Sequence, residues 1–289
     1  MKIKAYAKVN LAIDVLGKDE SGYHFVDMIM ASIDLHDIVQ IESREDEIIN
    51  ITSNLKELPI GKDNICYKAA ELIKTKLNIS NGFNIHIQKN IPMQAGLGGG
   101  SADAAAVLNG INNIYNNKIE YDELLNLACK LGADVSFMLK TGMARATHFG
   151  EKLEYFIGLK PLKCILVKPD FGVSTATVYS IIDDLYRNQI SNIDEIITNL
   201  KKNNVYKLVQ LCYNVLEDAT LKIHPEINDI KKYINKVSKP YLCMMTGSGS
   251  TVFALYDNNV NTEEICSLLK DKFRNYKIFN TILRGGSNE

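Results

Sequence analysis

The stretch that decides the fold is Pro92-Met93-Gln94-Ala95-Gly96-Leu97-Gly98-Gly99-Gly100-Ser101-Ala102-Asp103-Ala104-Ala105-Ala106. Four of these residues are glycine and five are alanine. A glycine-rich turn runs straight into small residues and reads as the opening of a helix. That construction presents several backbone N–H groups at the positive end of a helix dipole, which suits a polyphosphate. Two common phosphate loops do not fit. A P-loop requires Gly-x4-Gly-Lys-Ser/Thr, and no lysine stands among residues 91–115. A dinucleotide fingerprint requires Gly-x-Gly-x-x-Gly after the first strand of a βαβ unit. Here the third glycine would fall at Ser101, and several strands precede the loop. The plain alternative is a glycine turn that packs a helix of small residues. Four glycines behind a proline, with a hydroxyl at the helix start, favour the phosphate cradle.

Working outward, Ile3–Val15 alternates. Ile3, Ala5, Ala7, Val9, Leu11, Ile13 and Val15 take one face, and Lys2, Lys4, Tyr6, Lys8, Asn10 and Asp14 the other, as in a strand with one buried side. Gly17–Gly22 reads as a turn, and strands are predicted at Ile38–Glu42, Ile48–Ser53 and Phe83–Ile87. Asn64–Leu77 has a helical period, with Asp63 or Asn64 as its cap. Beyond the loop come helices at Ser101–Ile114 and Tyr121–Leu131, the second closed by Gly132, and a strand at Met143–Phe149. The second half predicts a strand at Cys164–Lys168, then helices at Ser174–Tyr186, Ile193–Lys202, Val205–Leu216 and Glu226–Val237. Strands at Tyr241–Thr246 and Thr251–Tyr256 flank a hairpin-like Gly247-Ser248-Gly249-Ser250 turn, and helix Thr262–Phe273 and strand Lys277–Leu283 follow. The outline is β-α-β-β-α-β with extra helices, the ferredoxin-like order. The domain change is placed near Gly150–Leu162, giving domains over 1–158 and 159–289 that pack closely about a ligand cleft.

Composition narrows the classes. The 289 residues are enough for two domains with a sizeable core. A net charge of −1 offers no basic field for nucleic acid. Lys8, Asn10 and Asp14 interrupt the apolar run that a signal peptide needs. No apolar stretch approaches the roughly 18 residues of a membrane span. The six cysteines are scattered without a Cys-x-x-Cys pair, which argues against a disulfide framework or zinc site and for reduced thiols in the cytoplasm. The expectation is a cytoplasmic monomer or homodimer with a small-molecule substrate, no nucleic-acid partner and no membrane association.

The glycine stretch resembles the ATP-binding motif of the GHMP kinase superfamily (galacto-, homoserine, mevalonate and phosphomevalonate kinases), written Pro-x3-Gly-Leu-Gly/Ser-Ser-Ser-Ala. Its Gly-Leu-Gly-Gly-Gly-Ser form is similar to the branch that acts on a cytidine-diphosphate-tagged alcohol. Ala7-Lys8-Val9-Asn10-Leu11 looks like that branch's Ala-Lys-x-Asn-Leu signature. Asp19–His24 resembles its Asp-Gly-Tyr-His turn, and Gly132-Ala133-Asp134-Val135 its Gly-Ala-Asp-Val segment. Thr246–Ser250 is similar to the third, glycine-rich motif of the superfamily. The likeness runs in order from residue 5 to about residue 255.

The resemblance implies an α+β, two-domain GHMP kinase fold: an N-terminal mixed α/β domain that binds ATP and a C-terminal ferredoxin-like domain with extra helices. It implies ATP-dependent phosphorylation of the 2-hydroxyl of 4-diphosphocytidyl-2-C-methyl-D-erythritol, with another small-alcohol kinase of the homoserine or mevalonate type as the alternative. Lys8 becomes one of the catalytic pair rather than a solvated strand lysine, and Asp134 its general base, a role compatible with capping a helix at Val135–Lys140. An alcohol nucleophile needs its proton accepted, and a nearby ammonium keeps the carboxylate ionised. Pro92 to Ala102 would cradle ATP, with Asn64 and Lys89 on the adenine side. Mg2+ would bridge the phosphates, with Ser101 as the hydroxyl near it and Asp103 a second candidate. Tyr23 and His24 would form the cytosine pocket, one stacking on the base and the other reading its edge. Tyr179 would cover the opposite ring face, and Asn10 and Thr175 would also touch substrate. Two departures stand out: Ser136 replaces a proline of the Asp-Val-Pro-Phe-Phe segment, and Ser101-Ala102-Asp103 replaces Ser-Ser-Asn. Neither removes a catalytic group.

Overall fold

A computed structural model describes residues 1–183, 185 and 192–285. The chain forms two compact units. Met1–Ala7, Leu35–Pro92 and Gly98–Thr141 make the first; Lys8–Asp34, Met93–Leu97 and the chain from Gly142 onward make the second. Strands β1 (Lys2–Lys18) and β2 (His24–Ser43) contribute to both units. The glycine loop is likewise shared: its Met93–Leu97 part belongs to the second unit and its helical end to the first.

In the first unit, β3 (Ile49–Ser53) pairs in parallel with β4 (Phe83–Gln88), and β4 pairs antiparallel with the end of β2, matching Ile85 with Ile51 and Ile41. Helix α1 (Ile65–Leu77) starts where the Asn64 side chain accepts the Cys66 N–H at 2.7 Å. This is the cap expected from sequence. It ends at left-handed Asn78, with Lys74 and Lys76 near its negative end. Helix α2 (Gly99–Ile114) begins two residues before the expected Ser101. Its small residues let it lie flush on the sheet: a Cβ on Gly110 would collide with the Ile3 and Ile41 side chains. Helices α3 (Tyr121–Leu131) and α4 (Ala133–Met138) complete the unit. Its core joins Ile41, Ile51, Phe83 and Ile85 to Ala69, Ile73, Ala105, Leu108 and Ile111.

In the second unit, β5 (Met143–His148) lies antiparallel between the start of β2 and β6 (Lys152–Phe156). Strand β7 (Leu162–Lys168) precedes helices α5 (Thr175–Asp183), α6 (Ile193–Lys201), α7 (Val205–Leu211), α8 (Val215–Ile223) and α9 (Glu226–Val237). Strands β8 (Leu242–Met245) and β9 (Val252–Tyr256), helix α10 (Thr262–Lys272) and strand β10 (Lys277–Leu283) follow. The sheet order β10-β7-β9-β8, antiparallel throughout, is the ferredoxin-like order. One sheet face packs on Ile227, Ile230 and Ile234 of α9 and Leu269 of α10.

Three expectations need correction. Strand β2 starts at His24, not near Ile38; residues 26–33 are buried on both faces and so show no alternation. Strand β6 lies inside the stretch read as a domain change; none of its five residues is buried, so it has no core face to mark it. The single helix expected over Val205–Leu216 is two, since Asn214 turns its side chain to cap α8 at the Leu216 N–H. Tyr186, the expected end of the fifth helix, lies outside the described residues.

Candidate active site

Lys8 sits on β1 with only 4% of its surface exposed. Its Nζ donates to Asn10 Oδ1 at 2.7 Å and to the Gly96 carbonyl at 3.1 Å, and its backbone N–H donates to the Leu97 carbonyl. The lysine is therefore fastened to the glycine loop from both its main chain and its side chain. Thr246 completes the group: its hydroxyl accepts the Asn10 N–H at 3.0 Å and lies 3.4 Å from Asn10 Oδ1 and from the Gly96 carbonyl. Gly96 has a φ of +73°, and a Cβ there would strike the Thr246 carbonyl. Only glycine lets the loop lie this close to the turn at residues 246–250. That turn is held in its own right, because Asn214 Nδ2 donates to the Met245 and Gly247 carbonyls at 2.9 and 2.8 Å. Thr175, at the start of α5, meets it through a 2.9 Å contact between its hydroxyl and that of Ser248.

The same unit holds the expected base pocket. Asp19 braces the turn that carries it, accepting from the Ser21 hydroxyl and from the Ser21 and Tyr23 N–H groups, which holds its carboxyl below the usual range. Tyr23 is 68% exposed, and its ring meets Phe149 edge-on, with Phe149 stacked on Phe25. His24 and Tyr179 come together, with ring centroids 4.7 Å apart and planes inclined by 33°. The structure thus joins two of the three pocket residues directly, while the nearest ring to Tyr23 is Phe149. Asp183, which the sequence patterns do not single out, lies beside His24 and pairs with Lys18.

In the first unit, Gly98 precedes α2 with a φ of +69°, and no side chain caps the helix. The first N–H groups of α2 are thus left for an external acceptor. Ser101 lies half-buried in this first turn. Asn64 is a buried helix cap whose amide also donates to the Pro59 carbonyl. Lys89 is turned inward. Its ammonium donates to Asp37 and, at 2.7 Å, to Asp103, and its side chain is 4% exposed. Burial opposes its charge, but Asp103 and Asp37 outweigh burial and raise its pKa. Burial also pushes the Asp103 carboxyl well above the ordinary range against the pull of Lys89, and among the described residues its second oxygen has no hydrogen-bond partner. Asp37 is anchored by the Asn90 and Ile91 N–H groups. Its only sequence signal is an acid within an apolar strand. Asp134 lies half-buried in the first turn of α4, with Gly132 rather than Asp134 at the cap.

A lysine fixed to a glycine loop, an uncapped helix start and a braced aromatic pocket are features of a phosphoryl-transfer enzyme. The family comparisons agree. The GHMP kinases N terminal domain matches residues 64–144, and the GHMP kinases C terminal domain matches residues 181–275. A 4-diphosphocytidyl-2-C-methyl-D-erythritol kinase of Clostridium beijerinckii is 41% identical over 282 residues, covering 98% of this chain and 100% of that protein. The protein of the same name from Clostridioides difficile is 40% identical over 286 residues, 99% of this chain and 96% of its own. A crystal structure of 4-(cytidine 5'-diphospho)-2C-methyl-D-erythritol kinase superposes with a TM-score of 0.82 at 28% identity, covering 99% of this chain and 100% of the other. The chain belongs to the GHMP kinase family, with ATP as co-substrate and a small molecule as acceptor. Among the described residues no helix is long and apolar enough to cross a membrane.

Proposed function

We propose that this chain transfers the γ-phosphoryl group of ATP to the 2-hydroxyl of 4-diphosphocytidyl-2-C-methyl-D-erythritol. The observation that carries this over a homoserine or mevalonate reaction is the aromatic group of Tyr23, His24 and Tyr179 on its braced turn and helix. A non-nucleotide alcohol has no ring to lay on it. Near-full-length relatives with this named activity support the same reading.

Lys8 and Asp134 are the proposed catalytic pair. Phosphoryl transfer depends mainly on positioning and charge stabilisation. The oxygens of Asn10 and Gly96 aim the Lys8 ammonium, whose charge would stabilise the developing alkoxide. Asp134 would accept the hydroxyl proton. Residues Pro92 to Ala102 would cradle the phosphates, with the N–H groups of Gly99, Gly100 and Ser101 at the uncapped start of α2 toward them, and Asn64 would border the adenine. Lys89, whose ammonium is held by two carboxylates, would act on the nucleotide side by bracing this loop. Asn10, Thr175 and the pocket residues would hold the acceptor.

Magnesium would neutralise charge on the phosphates. The residues fit an ion brought in by the nucleotide. Ser101 places a hydroxyl in the first turn of α2, and no group of three or more His, Cys, Asp or Glu able to hold a metal occurs among the described residues. We further propose two sequence domains, 1–158 and 159–289, since the two family matches fall on either side of residue 158. A cytoplasmic monomer or homodimer working without nucleic acid fits an ATP-consuming reaction and a net charge of −1.

An ATP-consumption assay with the CDP-alcohol, homoserine and mevalonate tests the substrate. Turnover of either of the last two, without the first, overturns it. In the same assay Asp134→Asn is expected to keep ATP binding and lose roughly 10²–10⁴-fold in kcat. Unchanged turnover removes Asp134 as the base.

A further inference from the structure

The base pocket contains a carboxylate with a second task. The His24 side chain is 12% exposed, and its Nε2 lies 2.9 Å from Asp183 Oδ1 at the end of α5. The other oxygen, Oδ2, accepts from Lys18 Nζ at 3.0 Å. Tyr179 packs on the imidazole. Among the described residues Nδ1 has no protein hydrogen-bond partner.

An ionised carboxylate can only accept hydrogen bonds. The bond from His24, followed by that from Lys18, holds the Asp183 carboxyl below its usual range, so it is ionised near neutral pH. The proton in the His24–Asp183 contact therefore sits on Nε2. A neutral imidazole protonated on Nε2 carries a bare lone pair on Nδ1. Such an atom accepts from an amine and repels a carbonyl.

We propose that Asp183 is a positioning residue for base specificity. It fixes His24 in the tautomer protonated on Nε2, so that Nδ1 accepts a hydrogen bond from the exocyclic amine of cytosine and rejects the carbonyl that uracil carries at the same place. The inference rests on the cytidine reading of the pocket given above. A site built to pair one polar group discriminates strongly, because the wrong partner leaves a desolvated atom unpaired.

Asp183→Asn reverses the logic. Its amide can donate to Nε2, moving the ring proton to Nδ1, just as an Asn in place of the Asp of a catalytic triad gives the wrong tautomer. Wild type is expected to favour the CDP-alcohol over its UDP counterpart by roughly 100-fold or more in kcat/KM. Asp183→Asn is expected to cut that ratio at least about tenfold and to raise KM for the CDP-alcohol, with KM for ATP unchanged. A residue that merely stabilised the fold would leave the ratio of two nucleotides unmoved. Nitrogen-15 NMR of histidine-labelled wild-type protein should show His24 protonated on Nε2 alone. A His24 protonated on Nδ1, or unchanged discrimination in Asp183→Asn beside normal wild-type turnover of the CDP-alcohol, overturns this inference and leaves the substrate standing. Failure of wild type to turn over the CDP-alcohol overturns both.

Discussion

Lys8 and Lys89 are both almost fully buried, and each lies against the glycine stretch, yet their surroundings differ in kind. Lys8 is held by an amide oxygen and a backbone carbonyl. Lys89 lies between the carboxylates of Asp37 and Asp103. Neutral dipoles fix the direction of an ammonium. Two carboxylates pair with the charge and convert it into rigidity. Burial alone therefore says little about what a lysine does. The contrast also separates two duties of one loop, the Met93–Leu97 part organised about Lys8 and the helix start at Gly99 set above Lys89.

That contrast can be broken by exchanging each lysine for methionine. Lys89→Met leaves two buried carboxylates without their cation and is expected to cost about 3–5 kcal/mol of stability. Lys8→Met is expected to lose roughly 10²–10³-fold in kcat, the usual effect of removing a transition-state charge partner. Thermal melts and steady-state rates on both variants decide it, and unchanged turnover in Lys8→Met would erase the distinction. Next in size comes Gly96→Ala, which combines a left-handed φ with a clash against the Thr246 carbonyl. It should cost about 2 kcal/mol or more and disturb the seat of Lys8. An unchanged melt would show that the loop gives way freely.

The smallest effect sharpens the Lys89 side. Folding raises the Asp103 pKa, chiefly through burial, so the native state holds this proton more tightly. The associated stability is complete below the unfolded value of about 4 and is lost as pH rises through the folded value. Asp103→Asn is neutral at every pH. Its Tm should lie close to wild type near pH 4 and move above it as the pH climbs toward 8. Parallel Tm curves over that range would show that Asp103 is not a buried, raised acid.

Local patterns carried much of this far. The Asn64 cap, the ends of β10, the hairpin turn after β8 and the small-residue helix after the loop are each set by a few adjacent side chains, and those are what periodicity detects. The motif residues Lys8, Asn10, Tyr23, His24 and Asp134 stand out for the same reason: each lies in a short string with its own signature. The start of β2 did not, because a strand buried on both faces has no alternation to read. Asn214 looked like part of one helix because its partners, the Met245 and Gly247 carbonyls, are about thirty positions away. The inward turn of Lys89 was equally hidden. A lysine three residues before a proline looks like a solvated strand end until Asp37, fifty-two positions earlier, and Asp103 are placed around it.

The sequence by itself determined the family and the residue types that its chemistry would need, since those depend on motifs and spacing along the chain. Tertiary structure alone decided which oxygens hold each charge. A hydrogen bond between Lys8 and Gly96, or His24 and Asp183, depends on atoms brought within 3.1 Å across 88 and 159 positions of chain, a distance that no local pattern encodes.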